Sequence, residues 1–229
     1  MSMGGFAAQS VPSDRIKPFL GHDQEAYSSL EAFAEAAIAD GWNNPFRKFL
    51  DGEIEPANSY LSTTWSYLSI FREIADSDEV TLFTLDDVRM LKHWSQYELL
   101  LDSCPDFDIV QIWWWYHEPM PVLEDTDISP GFHGPGDDML IVTPKGAQRV
   151  LDWIEQFGDM TFEACLNHRR VYQPELLEGC YTTNKPSHWS HHYHAYYFRG
   201  EPKSTVWSDF ADSEGGDVSI SRMGGNNAD

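Results

Sequence analysis

Several stretches of the chain repeat apolar residues at the spacing of a helix with one buried face. Residues 25–41 show this pattern, and residues 59–75 place Leu61, Trp65 and Leu68 on one side. A further stretch repeats it with Trp94, Tyr97, Leu100 and Leu101. These stretches predict amphipathic helices.

A last helix is predicted by its beginning as much as by its periodicity. Thr143 is a favoured helix cap, and Pro144 after it suits a first helical position. The segment that follows has its buried stripe at Ala147, Val150, Leu151 and Ile154.

Short apolar runs stand between the predicted helices and read as buried strands. They cover residues 80–85, 107–115 and 138–143, and residues 15–23 are a shorter candidate. Strands that alternate with helices are typical of a largely parallel sheet covered on both faces. The pattern therefore predicts an α/β fold with a mostly parallel sheet and helices on both faces.

The run "VTLFTLDDV" ends a predicted strand in two adjacent carboxylates, Asp86 and Asp87. Such a pair repels itself and resists desolvation, so it must be solvated, hydrogen-bonded or bound to a cation. In parallel sheets ligands bind at the carboxyl ends of the strands. The pair could bind a ligand there, or cap a helix in the ordinary way.

Composition limits the class of protein. The 229 residues fit one domain over 1–212, and the polar, glycine-rich segment 213–229 predicts a disordered tail. No segment is apolar enough for a membrane span and no signal sequence is evident, so we expect a cytoplasmic protein with reduced cysteines. The formal charge of −22 disfavours a general nucleic-acid surface.

The order of these pieces resembles the lipopolysaccharide-type and procollagen-type galactosyltransferases, a family of GT-A type. The resemblance covers residues 50–185, from the helix "SYLSTTWSYLSIFREI" through "LDDV" and "FDIVQI" to "MLIVTPKGAQRVLDWI". It implies a Rossmann-like domain that moves a sugar from a nucleotide-sugar donor, a UDP-sugar, to a hydroxyl acceptor with Mn²⁺ or Mg²⁺. By the same resemblance Asp86 and Asp87 hold the metal and the donor.

Three further segments supply candidate site residues. In "WWWYHEP" the strand exit could present Trp115, Tyr116, His117 and Glu118 to a sugar or a base, or two of the tryptophans could simply fill the core. Imidazoles bind metals such as Mn²⁺, and of the histidines in "SHWSHHYHAYY" we favour His188 and His191, although a solvated loop is the equal alternative.

The segment "MTFEACLNHRR" resembles a family segment with an acidic residue at the position of Glu163. A carboxylate there is expected to be the general base for the acceptor hydroxyl, with Asp159 as the second candidate. The alternative is an ordinary surface glutamate.

The sequence leaves two acceptors and one non-catalytic alternative open. The acceptor is a glycan or lipopolysaccharide sugar, or a hydroxymethylated pyrimidine in DNA as in phage-type transferases. Leu85 stands where the family has a glutamate, and no opening strand is evident. Those departures favour the alternative of an inactive carbohydrate-binding scaffold.

Overall fold

The computed structural model describes most of the chain. The described residues are 11, 15–54, 60–85, 88–90, 92–104, 106–113, 128–134, 136–159, 161–184 and 190–192. The predicted tail 213–229 lies outside them. None of the helices in these ranges is long and apolar enough to cross a membrane.

The helices fall where apolar periodicity predicts them, with two additions. They are α1 (Leu30–Ala39), α2 (Asn44–Leu50), α3 (Tyr60–Ala75), α4 (Trp94–Leu101), α5 (Pro144–Phe157) and α6 (Phe162–Tyr172), with 3-10 turns at Gln24–Ala26 and Pro174–Leu177. The sequence reading missed α2, whose second residue is a proline. Proline lacks the N–H that a first turn leaves unpaired, so it is compatible with this helix start.

Helix α5 begins after a residue that caps its amino end and ends at a glycine that caps its carboxyl end. The Thr143 Oγ1 accepts a hydrogen bond from the Gly146 N–H at 3.0 Å, and Gly158 ends the helix at a left-handed φ of 68°. The predicted stripe of Ala147, Val150, Leu151 and Ile154 is buried.

The strands form a five-stranded sheet and a separate pair. They are β1 (Thr81–Thr84), β2 (Val88–Met90), β3 (Ile109–Gln111), β4 (Ile128–Pro130), β5 (Met139–Val142), β6 (Cys180–Thr183) and β7 (Ser190–His192). The large sheet has the order β1-β5-β3-β6-β4, and β2 pairs with β7. Residues 15–23, the shorter strand candidate, contain no strand.

The prediction of a mostly parallel sheet is wrong. Among the described strands, only β3 and β6 pair in parallel, whereas β5 is antiparallel to both β1 and β3, and β4 is antiparallel to β6. The neighbouring strands β3 and β5 are joined by a stretch whose described residues form the strand β4 and no helix. A crossover helix between them, as in the predicted alternation of strands and helices, would have made them parallel.

Apolar clusters cover both faces of the large sheet, so the prediction of helices on both faces is confirmed. Successive residues of β5 alternate between them: Leu140 and Val142 face the cluster formed with α1, α3, α5 and α6. Met139 and Ile141 face the other cluster, which contains Tyr97 of α4. The molecule is therefore a three-layer α/β structure.

Candidate functional site

One edge of the sheet collects the ends of strands from distant parts of the sequence. Strands β1, β3 and β6 run in the same direction, because β5 is antiparallel to both β1 and β3 and β6 is parallel to β3. Their carboxyl ends therefore meet the amino end of β5 at this edge, where Thr84 pairs with Met139 and Gln111 pairs with Leu140. We call it the carboxyl edge.

Carboxylates are concentrated beside the carboxyl edge. Asp137 and Asp138 immediately precede β5, and each is only 8% exposed. Asp159 lies between α5 and α6 and is equally buried, and Glu163 stands in the first turn of α6. Buried carboxylates repel one another and lose hydration, so this concentration is unfavourable unless other groups compensate it.

The loop that carries Asp137 and Asp138 is held by a buried amide. Gln111 is fully buried, and its Nε2 donates to the carbonyls of Gly134 at 3.1 Å and Gly136 at 2.6 Å. The Thr182 hydroxyl donates to the Gln111 Oε1 at 3.1 Å. One side chain thus joins β3, β6 and the loop before β5.

The residue before the predicted metal pair, Leu85, is hydrogen-bonded to this loop. The Leu85 N–H donates to the Asp138 carbonyl at 3.0 Å, and the Val88 N–H donates to the Leu85 carbonyl at 3.4 Å. The chain therefore reaches the carboxyl edge at Leu85, immediately before the pair in sequence. The predicted metal pair, Asp86 and Asp87, lies outside the described residues. So do the predicted ligand His188 and the predicted acceptor contacts, which are Trp115, Tyr116, His117 and Glu118.

His191 is described only as backbone, in β7. It is the residue opposite Arg89 of β2 in the small two-stranded sheet. Within the described residues, no group of three or more His, Cys, Asp or Glu side chains is arranged to hold a metal ion. The oxygen donors beside the carboxyl edge have the chemistry that Mn²⁺ and Mg²⁺ prefer, but they do not complete a site without further ligands.

Glu163, the first predicted base, is a surface residue with a perturbed carboxyl. Burial of the carboxyl among neighbouring protein atoms raises its pKa, and the negative charge of Asp138 raises it further. The residue as a whole is nevertheless exposed, so water screens part of both effects. Glu163 thus has an accessible carboxyl whose negative form is disfavoured.

Asp159, the second predicted base, is not accessible in the same way. Its Oδ1 lies 2.6 Å from the His168 Nδ1, and its Oδ2 lies 3.2 Å from the Arg169 Nη2. Arg169 is buried and stacks over the Phe157 ring at 3.7 Å. The carboxylate is therefore enclosed by its two partners and reaches solvent only through them.

The charges of this region also act on a neighbouring thiol. Burial raises the pKa of Cys165, and the charges of Asp159 and Asp137 raise it further, while Arg169 lowers it. The thiolate form of Cys165 is therefore disfavoured. All three cysteines are buried and free, as the sequence predicted.

Several residues of this region were missed by sequence reasoning. "GDDM" at 136–139 repeats the carboxylate pair of "LDDV", but before a strand instead of after one. That repetition was a visible signal, because an antiparallel strand brings its amino end to the carboxyl edge. Gln111 and the partnership of Asp159 with His168 carried no such signal.

The chain was also compared with known proteins. No protein-family model, no curated protein and no solved structure matches it.

Proposed function

We propose that the protein is a metal-dependent glycosyltransferase of Rossmann-like GT-A type. It would move a sugar from a nucleotide-sugar donor, a UDP-sugar, to a hydroxyl of a glycan. One observation carries the proposal: carboxylates from two separate segments, the loop before β5 and the stretch from Asp159 to Glu163, are brought beside the edge where β1, β3 and β6 end. Ligands of α/β proteins bind at such edges.

A divalent cation supports the proposed reaction by neutralising charge on a diphosphate leaving group. Asp86 and Asp87 would hold Mn²⁺ or Mg²⁺, because they follow Leu85, whose N–H bonds to Asp138 at the carboxyl edge. His188 and His191 are the proposed nitrogen ligands. Trp115, Tyr116, His117 and Glu118 are the proposed contacts to the acceptor.

The acceptor hydroxyl must lose a proton during transfer. The group that takes it is proposed to lie at the start of α6, where the sequence predicts Glu163 and then Asp159. An uncharged sugar suits this region better than a DNA acceptor, because buried carboxylates and a net charge of −22 repel phosphodiesters.

The test is release of UDP from a panel of UDP-sugars, with Mn²⁺ and with EDTA, in the presence of sugar acceptors. Asp87→Asn is expected to abolish the metal-dependent release, while the matched surface change Asp76→Asn leaves it unchanged. Thermal-shift measurements on both variants verify that each is folded. Full activity of Asp87→Asn after Mn²⁺ is restored would reject the metal assignment, and no turnover of any donor by the wild type would reject the enzyme class.

A further inference from the structure

Asp159, just before α6, and His168 on α6 form an oriented pair. The ring Nδ1 of His168 lies 2.6 Å from the Asp159 Oδ1, which is shorter than the contact of this carboxylate with Arg169. The Asp159 side chain is 7% exposed, and that of His168 is 46% exposed. A buried carboxylate thus fixes the orientation of an imidazole at the surface.

The pair also fixes which ring nitrogen carries hydrogen. A carboxylate that faces Arg169 at 3.2 Å accepts hydrogen bonds and donates none, so the hydrogen must sit on Nδ1 of His168. In the neutral ring the lone pair is then on Nε2. The Asp159 contact leaves Nε2 on the part of the ring that does not touch the carboxylate, and the side chain is 46% exposed.

The pair lies next to the proposed site. Phe162, the first residue of α6, and Phe83, next to the last residue of β1, both contact the rings of Tyr67 and Phe71. One helical turn before His168, burial raises the pKa of Cys165, and the charges of Asp159 and Asp137 raise it further. Asp137 belongs to the loop that Gln111 holds at the carboxyl edge. On α6, therefore, an accessible proton acceptor stands close to the carboxylates that carry the functional proposal.

We infer that His168 is the catalytic base of the proposed transfer and that Asp159 is its positioning residue. The acceptor hydroxyl gives its proton to Nε2 while its oxygen bonds to the anomeric carbon. The bond from that carbon to the diphosphate breaks, and its electron pair leaves with the nucleoside diphosphate. The imidazolium then passes the proton to water. This inference rests on the proposed function.

The chemistry favours His168 over the carboxylates that the sequence pointed to. The neutral His168 ring has a lone pair on Nε2 that can accept a proton, and the ring is already oriented by Asp159. Asp159 is enclosed and can act only through its ring partner. Glu163 is exposed, but burial of its carboxyl and the charge of Asp138 raise its pKa and so disfavour the negative form, which is the form that accepts a proton.

The experiment measures transfer by the full chain, with UDP-sugar, Mn²⁺ and a sugar acceptor, across a range of pH. His168→Gln is expected to reduce kcat by about 10²–10⁴-fold with little change in the donor KM, because general-base catalysis has that range. The activity of His168→Ala should be partly restored by free imidazole, which a merely structural role would not allow. Glu163→Gln is the matched comparison on the same helix, and Glu35→Gln on the exposed face of α1 is the control.

Each outcome decides the question. Transfer that survives His168→Gln overturns the inference, and the base is Glu163 if Glu163→Gln alone removes activity. A loss in His168→Ala that imidazole does not relieve, with an unchanged pH profile, also overturns it. Absence of any transfer by the wild type overturns the proposed function as well. Nitrogen NMR of the His168 ring, which needs no substrate, then shows separately whether the Nδ1–H form is present.

Discussion

Two buried aspartates at opposite ends of the sheet each contact two basic side chains, with different consequences. Asp108, before β3, is bound by the Arg149 Nη1 at 2.7 Å and the Lys145 Nζ at 3.0 Å. Asp159 is bound by Arg169 and His168. Both carboxylates are almost fully enclosed, so burial alone does not distinguish a structural aspartate from one proposed to act in catalysis.

The partners make the difference. Arg149 also donates to the carbonyls of Glu178 and Leu176, so it ties α5 to the connection before β6. Arginine keeps its charge at every relevant pH, and that cluster can only hold the fold together. The cluster around Asp159 includes an imidazole that can gain and lose a proton at the surface. What a buried carboxylate can do thus depends on the chemistry of the group it orients.

An open cavity of about 700 Å³ lies beside Asp108, lined by Lys145, Arg149, Asp152 and Glu178 among others. The cavity is large enough to hold a ligand, but it lies at the edge of the sheet opposite the carboxyl edge. Its central arginine is already engaged by a carboxylate and by backbone carbonyls. We therefore assign the residues around the cavity to the stability of the fold.

The largest expected effect tests that assignment. Asp108→Asn leaves Arg149 without its buried counter-charge, and removing one partner of a buried ion pair typically costs about 3–5 kcal/mol. Urea unfolding should show this loss, while UDP release per folded molecule stays unchanged. The exposed Asp152→Asn, in the same cavity, should be neutral. If Asp108→Asn removed activity from folded protein, the two aspartates would not differ as we argue.

A second change probes how tightly α5 is held against β3. A Cβ added at Gly146 would lie 2.1 Å from the Asp108 carbonyl oxygen, so the helix or the strand must shift. Gly146→Ala is expected to lower the free energy of unfolding by about 1–3 kcal/mol, the usual cost of overpacking. Gln148→Ala, exposed on the same helix, serves as the control. A neutral Gly146→Ala would show that this contact is looser than the structure indicates.

The smallest expected effect on stability gives the sharpest comparison. Lys145→Ala and His168→Gln each remove the more exposed partner of a buried aspartate, at 79% and 46% exposure. Each should change the free energy of unfolding by about 0–1 kcal/mol, as is usual for surface ion pairs. Only His168→Gln should reduce transfer. Equal kinetic effects of the two substitutions would remove the distinction between the two clusters.

The sequence predicted individual elements better than their arrangement. Thr143, Pro144 and the stripe from Ala147 to Ile154 were sufficient for α5, because caps and periodicity are local properties. The direction of β5 is set by its connection from β3, which in the described residues holds the strand β4 and no helix. No local pattern showed that this connection would lack a crossover helix, so the predicted strand direction was wrong.

The same distinction applies to the candidate site. The sequence identified Glu163 and Asp159 as chemically interesting from a short segment. It could not show that Asp159 is enclosed, because Arg169 and His168 reach it only after α6 folds back beside the end of α5. Asp137 and Asp138 come to the carboxyl edge through the antiparallel course of β5. Such relations depend on tertiary packing and leave no local pattern.

Gln111 has a consequence for the energetics of binding. Its amide is engaged by two loop carbonyls and a strand hydroxyl, so the loop that carries Asp137 and Asp138 has little freedom to move its carboxylates apart. The two carboxylates are thus held at the carboxyl edge before any ligand arrives. A cation that binds at the proposed site would meet their negative charge without having to order the loop. The hydrogen bonds of Gln111 thus order the loop during folding, so binding at the proposed site does not lose free energy to ordering it.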